Sequence, residues 1–189
     1  MGPAATGEGM GFGVPIVYYP DGWVYARTAT TVQVGPSAWQ RTFELNEMGG
    51  DRAHNYEFVR IKSRGEIQVT YVVDSAGVSV TVKPLWLDDG YLQVGILNEQ
   101  SAAFNDFAAD GQSALVDSAF GNWVPVTGAW ARLRSGSLDI EWSLPALPGA
   151  GLYAGRELVA PDLDWAGLDY MFPASFSGAT YRIQVQEAQ

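Results

Sequence analysis

The chain has no cysteine and a single histidine, His54, in 189 residues. The first absence excludes disulfide frameworks, thiolate metal sites and cysteine nucleophiles. The second excludes any site that needs two imidazoles, and with it most histidine zinc clusters. A Ser–His–acid triad would have to use His54, and neither Ser175 nor Ser177 stands in a G-x-S-x-G turn. Positive charge is scarce as well, with 11 bases against 21 acids and a formal net charge of −10. Nucleic acid and anionic membrane surfaces are therefore not expected as partners, whereas a neutral small molecule or glycan is. The plainer reading of the acidity is a soluble, self-repelling surface. Gly9, Gly11 and Gly13 open no helix and there is no P-loop lysine, so neither a nucleotide nor any other cofactor is expected. No apolar run approaches the roughly 20 residues that span a bilayer. The first residues show neither a basic nor an apolar export region, so no export signal is expected, and compartment does not follow.

What the chain does have is alternation. Gly65-Glu-Ile-Gln-Val-Thr-Tyr-Val-Val-Asp74 places Ile67, Val69, Tyr71 and Val73 on one side and Glu66, Gln68 and Thr70 on the other, the period of a half-buried strand. Further strands are predicted over 15–19, 23–27, 31–34, 39–46, 56–61, 78–83 and 91–97, and more weakly over 123–126, 129–134, 137–144, 152–157 and 179–186. Asp21-Gly22 and Asp89-Gly90 suit tight turns, and Asp74-Ser-Ala-Gly77 a slightly longer one. The four strands from Tyr56 to Leu97 are predicted to form an antiparallel meander. Residues 1–13, with five glycines and no periodicity, read as a flexible leader to a single β domain over 14–189. The predicted architecture is an all-β, two-layer antiparallel sandwich (supersandwich or jelly-roll-like) with a closed barrel as the alternative. Gln100–Ala109 puts Ala103, Phe104 and Phe107 at helical spacing and predicts one short helix or turn. The stretch 145–173, rich in Pro, Gly and Asp, predicts irregular loops with a few short strands.

Two polar clusters could carry chemistry. Glu47, Asp51, Arg52 and His54 fall within eight residues between predicted strands, and Glu47 with His54 could move a proton while Arg52 binds a ligand. A solvated connection turned by Gly49-Gly50 is the plainer alternative. Asn98-Glu99-Gln100-Ser101, with Asn105 and Asp106, follows a strand, and Glu99 with Asp106 could be an acid–base pair acting on a sugar or polyol. Capping of the predicted helix by Asn98 or Ser101 competes with that reading. Asp162, Asp164 and Asp169, and Asp88-Asp89, offer the oxygens calcium uses, but neither group fits the twelve-residue calcium loop, and no metal site is assigned.

Aromatic residues are abundant: 7 Trp, 9 Tyr and 8 Phe. Trp39, Trp86 and Trp142 stand where burial is natural. Tyr18-Tyr19, Trp23, Tyr91, Trp123 and Trp165 lie near turns or strand ends. Either Tyr18 or Tyr19 must point away from the core unless both faces are covered. Exposed rings beside carboxylates and amides suit hydroxyl-rich ligands, with Tyr19, Trp23, Tyr91 and Trp123 as rings and Asn98, Glu99, Asp106 and Arg52 as polar contacts.

Arg64–Asp74 followed by Gly77–Val82 resembles the paired strands of supersandwich domains in the galactose-mutarotase-like group. The resemblance implies a carbohydrate-binding sandwich, found in some members as an epimerase and in others as an accessory part of glycoside-processing enzymes. His54 alone departs from the histidine pair of a mutarotase, and the chain is shorter than such domains, so the resemblance transfers no catalytic residue. Three functions follow from the residues: a non-catalytic carbohydrate-recognising domain; an isomerase, cyclase or hydratase using an acid–base carboxylate pair; and a structural or assembly domain that joins subunits into a homo-oligomer.

Overall fold

The computed structural model describes residues 11–49, 58–101, 106–110, 112–113, 122–135, 140–160 and 163–187. They form seventeen strands and, among the described residues, no helix. In chain order these are β1 (Gly11–Tyr19), β2 (Gly22–Tyr25), β3 (Ala29–Gly35), β4 (Ala38–Glu44), β5 (Glu47–Gly49) and β6 (Phe58–Arg60). Next come β7 (Gly65–Asp74), β8 (Gly77–Leu87), β9 (Gln93–Ser101), β10 (Asp106–Ala109), β11 (Gln112–Ser113) and β12 (Asn122–Val126). The last five are β13 (Trp130–Ser135), β14 (Ile140–Pro145), β15 (Gly151–Ala160), β16 (Leu163–Pro173) and β17 (Ala179–Glu187).

The strands pair antiparallel in two sheets. One has eight strands in the order β12-β15-β16-β9-β1-β2-β5-β6, the other nine in the order β11-β10-β13-β14-β17-β8-β7-β4-β3. Each sheet ends on two different edge strands, so neither closes, and the molecule is an open two-layer sandwich rather than a barrel.

Period-two burial decides which faces meet. Ile67, Val69, Val80, Val82, Leu133, Leu144 and Ile183 of the nine-stranded sheet are fully buried, as are Val17, Val24, Val94, Ile96, Leu168 and Tyr170 of the other. Rings cross the interface: Phe12 lies edge-on to Trp142 at 5.1 Å, and Tyr170 meets Tyr181 at 4.9 Å.

Several expectations are corrected. β1 begins at Gly11, so the leader read over 1–13 includes three strand residues. The hairpin β7–β8 forms with Asp74 opposite Gly77, but β6 and β9 belong to the other sheet, so the four-stranded meander does not exist. The chain crosses between layers at Ser63-Arg64 and Asp89-Gly90, where a turn signal gave no hint of its direction. The predicted helix is strand at both ends, since Gln100 and Ser101 finish β9 while β10 begins at Asp106. There Phe107 and Ala109 are buried and Ala108 is less so, and packing against the core overrode alanine's helix propensity. The stretch read as loops contains the eleven-residue β16. Of the three tryptophans expected in the core, only Trp142 is buried; Trp39 and Trp86 are partly exposed. An irregularity between Glu66 and Ile67 sets Pro84 opposite Ile67 but Trp86 opposite Glu66, which turns Trp86 to the outside.

Candidate functional site

The outward side of the eight-stranded sheet is unusual for a sandwich. In β16 Leu168, Tyr170 and Phe172 face the core, so Gly167, Asp169 and Met171 face away from it. In β9 Ile96 and Asn98 face in, which leaves Gly95, Leu97 and Glu99 facing out. The irregularity between Phe12 and Val14 in β1 keeps Phe12 inside and sends Val14, Ile16 and Tyr18 outward. The register carries this row onward through Tyr25 and Trp23 to Glu47 and Gly49, and on the other flank to Tyr153 opposite Asp169.

Glycine shapes this face. A Cβ at Gly167 would lie 2.7 Å from Glu99 Cγ, and one at Gly95 would lie 2.7 Å from Ile16 and 3.3 Å from the Tyr18 ring. A Cβ at Gly49 would overlap the Trp23 indole. Each missing side chain lets a neighbour lie flat across the strand. The result is a surface of Tyr18, Trp23, Tyr25 and Tyr153 interspersed with carboxyl groups. Trp23 and Tyr25 pack at 5.5 Å, and Tyr25 Oη donates to Glu47 Oε2 at 2.7 Å.

Two acids on this face are withdrawn from water, Glu99 at 6% exposure and Asp169 at 5%. They are hydrogen-bonded to each other, which requires a proton on one of them. Burial pushes the Asp169 carboxyl up to about 7, against the lowering effect of its bonds from Glu99 and from the Asn98 N–H. That N–H reaches Asp169 Oδ1 at 2.9 Å. On the core side, Asn98 Oδ1 accepts from the Gly13 N–H (3.1 Å) and from Tyr181 Oη (2.7 Å), while its Nδ2 donates to the Leu168 carbonyl at 3.0 Å. Asn98 thus ties β1, β9, β16 and β17 together beneath the carboxyl pair. Burial, foremost, raises the Tyr181 phenol well above its ordinary range, so it remains a donor.

The structure groups the expected residues differently from their order in sequence. Glu99 sits in the eight-stranded sheet and Asp106 in the nine-stranded one, and the acid beside Glu99 is Asp169. Glu47 lies on the outward face next to Tyr25, while Arg52 and His54 lie outside the described residues. Trp123 stands opposite Gly155 in β12. Tyr19 is buried, with Tyr91 edge-on at 6.5 Å and the Arg64 guanidinium 3.5 Å above its ring. Asp169 and Gly167 were missed as site residues because their strand was missed. The alternation Leu168-Asp-Tyr-Met-Phe172 carried that signal, masked by the surrounding Pro, Gly and Asp. Among the described residues no group of three or more acids and histidines is placed to hold a metal ion.

No protein-family model matches the chain, and no curated protein matches it significantly. Among solved structures it is similar to the 4-alpha-glucanotransferase of Thermococcus litoralis, with a TM-score of 0.52 at 9% identity. That match covers 93% of this chain and 27% of the glucanotransferase, so the chain spans about a quarter of its neighbour's length. A second match is the Slr1438 protein of Synechocystis sp. PCC 6803, with a TM-score of 0.42 at 8% identity over 91% of this chain and 73% of that one. The first match shows a shared fold. The sandwich that the resemblance implied is therefore present, and one fold neighbour is a 4-alpha-glucanotransferase rather than a galactose mutarotase.

Proposed function

We propose that this chain is a carbohydrate-recognising β-sandwich domain whose ligand lies along the outward face of the eight-stranded sheet. One observation carries the reading: Tyr18, Trp23, Tyr25 and Tyr153 are partly exposed on that face, with the partly exposed Glu47 beside Tyr25. Rings cover the C–H faces of a sugar, and the Glu47 carboxylate bonds its hydroxyls. A neutral ligand agrees with a chain of net charge −10, which repels polyanions. The glucanotransferase adds architecture only; the face supplies the chemistry. Titration of neutral α- and β-linked oligosaccharides should quench tryptophan fluorescence. Trp23→Ala should weaken that binding by roughly tenfold, the loss of one stacked ring. Silence across the whole glycan panel would remove the proposal.

The carboxyl pair favours a second reading, acid–base catalysis of an isomerase or hydratase type. Glu99 and Asp169 share a proton in a buried setting, and a carboxyl held near 7 can both give and take a proton at neutral pH. Incubating the bound sugars and following anomer or epimer exchange by NMR tests it. Exchange that persists in Glu99→Gln and Asp169→Asn would exclude the pair as its agent.

A further inference from the structure

At the corner where β1 turns into β2, an open surface hollow of about 310 Å³ lies beside the turn. Met48 and Ile61 line it with apolar surface, and Asp21, Lys62, Arg64 and Asp88 line it with charge. Arg64 is held from every side. Its N–H is donated to the Leu45 carbonyl at 2.9 Å, and its own carbonyl accepts from the Asp88 N–H (2.8 Å) and from Tyr19 Oη (3.1 Å). Its guanidinium lies 3.5 Å over the Tyr19 ring, bonds both Asp21 oxygens at 2.9 and 3.0 Å, and comes within 3.9 Å of Asp88. A guanidinium fixed this way binds without first losing side-chain freedom.

We infer that this cleft is a separate subsite for one neutral sugar or polyol ring, an inference that rests on the carbohydrate reading above. Its size is at the lower end of small-molecule sites and suits a ring rather than a chain. Two carboxylates and two cations balance in a molecule that is otherwise strongly acidic, so the rim favours no net ionic charge. It offers what a vicinal diol needs, acceptors on Asp21 and Asp88 beside donors on Arg64 and Lys62. Met48 and Ile61 supply the apolar floor for a C–H face.

The test is amide NMR of Lys62, Ser63 and Asp88 during titration with D-glucose, D-galactose, D-mannose and their methyl glycosides. Glycine serves as the zwitterionic control and inorganic phosphate as the anionic one. At least one sugar should give saturable shifts at these amides. Asp88→Ala, which removes an exposed side chain, should weaken that binding about tenfold, the loss of one charged hydrogen bond. Met48→Trp should abolish it by filling the cleft, and the Asp88 variant decides the matter if the tryptophan is not tolerated. Thr81→Ala, on the other sheet, should leave the titration unchanged. No saturable sugar response, an undiminished response in Asp88→Ala, or tighter binding of glycine or phosphate would overturn the subsite. Oligosaccharides that quench Trp23 without moving these amides would sink the subsite alone, whereas silence in both measurements would sink the carbohydrate reading too.

Discussion

The two outward faces of the sandwich obey the same alternation and have opposite characters. On the nine-stranded sheet one rung runs Gln40, Thr70, Thr81, Thr180 across four strands, and the Thr81 and Thr180 hydroxyls lie 3.0 Å apart in solvent. The buried acid of that face, Glu141, is enclosed by cations. Burial raises its carboxyl, but Arg134, Gln186 and Arg132 together outweigh this and hold it below the ordinary value. On the eight-stranded sheet the outward side chains are aromatic, aliphatic and acidic, and Asp169 is enclosed by another acid. A strand's period thus decides which residues point outward, while their neighbours across the strands decide what that face does. Glycines at 49, 95 and 167 make the difference, since they let Trp23, Tyr18 and Glu99 lie against the backbone.

The comparison breaks most severely at Asn98. Asn98→Ala should cost about 4 kcal/mol in urea unfolding, because the buried Gly13 N–H, Tyr181 hydroxyl and Leu168 carbonyl all lose a partner. Gly167→Ala comes next, at about 3 kcal/mol. Its Cβ would sit 2.6 Å from the Asn98 carbonyl oxygen, a backbone atom with no easy way to yield.

A pH series sharpens the contrast. An unfolded aspartate releases its proton near 3.8, whereas folded Asp169 keeps it to about 7, so the native state binds more protons across that window. Stability should therefore fall as pH rises from about 4 to 7, by up to about 1.4 kcal/mol per unit, and Asp169→Asn should flatten the slope. Glu141 has the opposite sign. Its lowered carboxyl contributes stability above its ordinary range that is lost on acidification, and Glu141→Gln should remove that acid sensitivity. The smallest effect belongs to Thr81→Ala, expected within about 0.5 kcal/mol because its hydroxyl pair is solvated.

Much of the fold was legible from the chain. The run Ile67, Val69, Tyr71 and the Asp74–Gly77 turn announced β7 and β8, because a half-buried strand must alternate and a tight turn needs a residue such as Gly77 that accepts positive φ. Strand period required Tyr18 and Tyr19 to face opposite ways, and Tyr19 is buried while Tyr18 is partly exposed. Asp106, expected beside Glu99, stands seven residues further along the chain in the other sheet. Asp169, seventy residues away, is the neighbour that pairing of β9 with β16 supplies.

The residues alone determined that this protein is a cysteine-free, acidic stack of antiparallel strands, because side-chain period and glycine turns act over a few residues. Which acids meet, which tryptophans stay outside and where a guanidinium is pinned were decided only in three dimensions. Those outcomes depend on strand order, bulges and layer crossings, which are set by contacts between segments far apart in the chain.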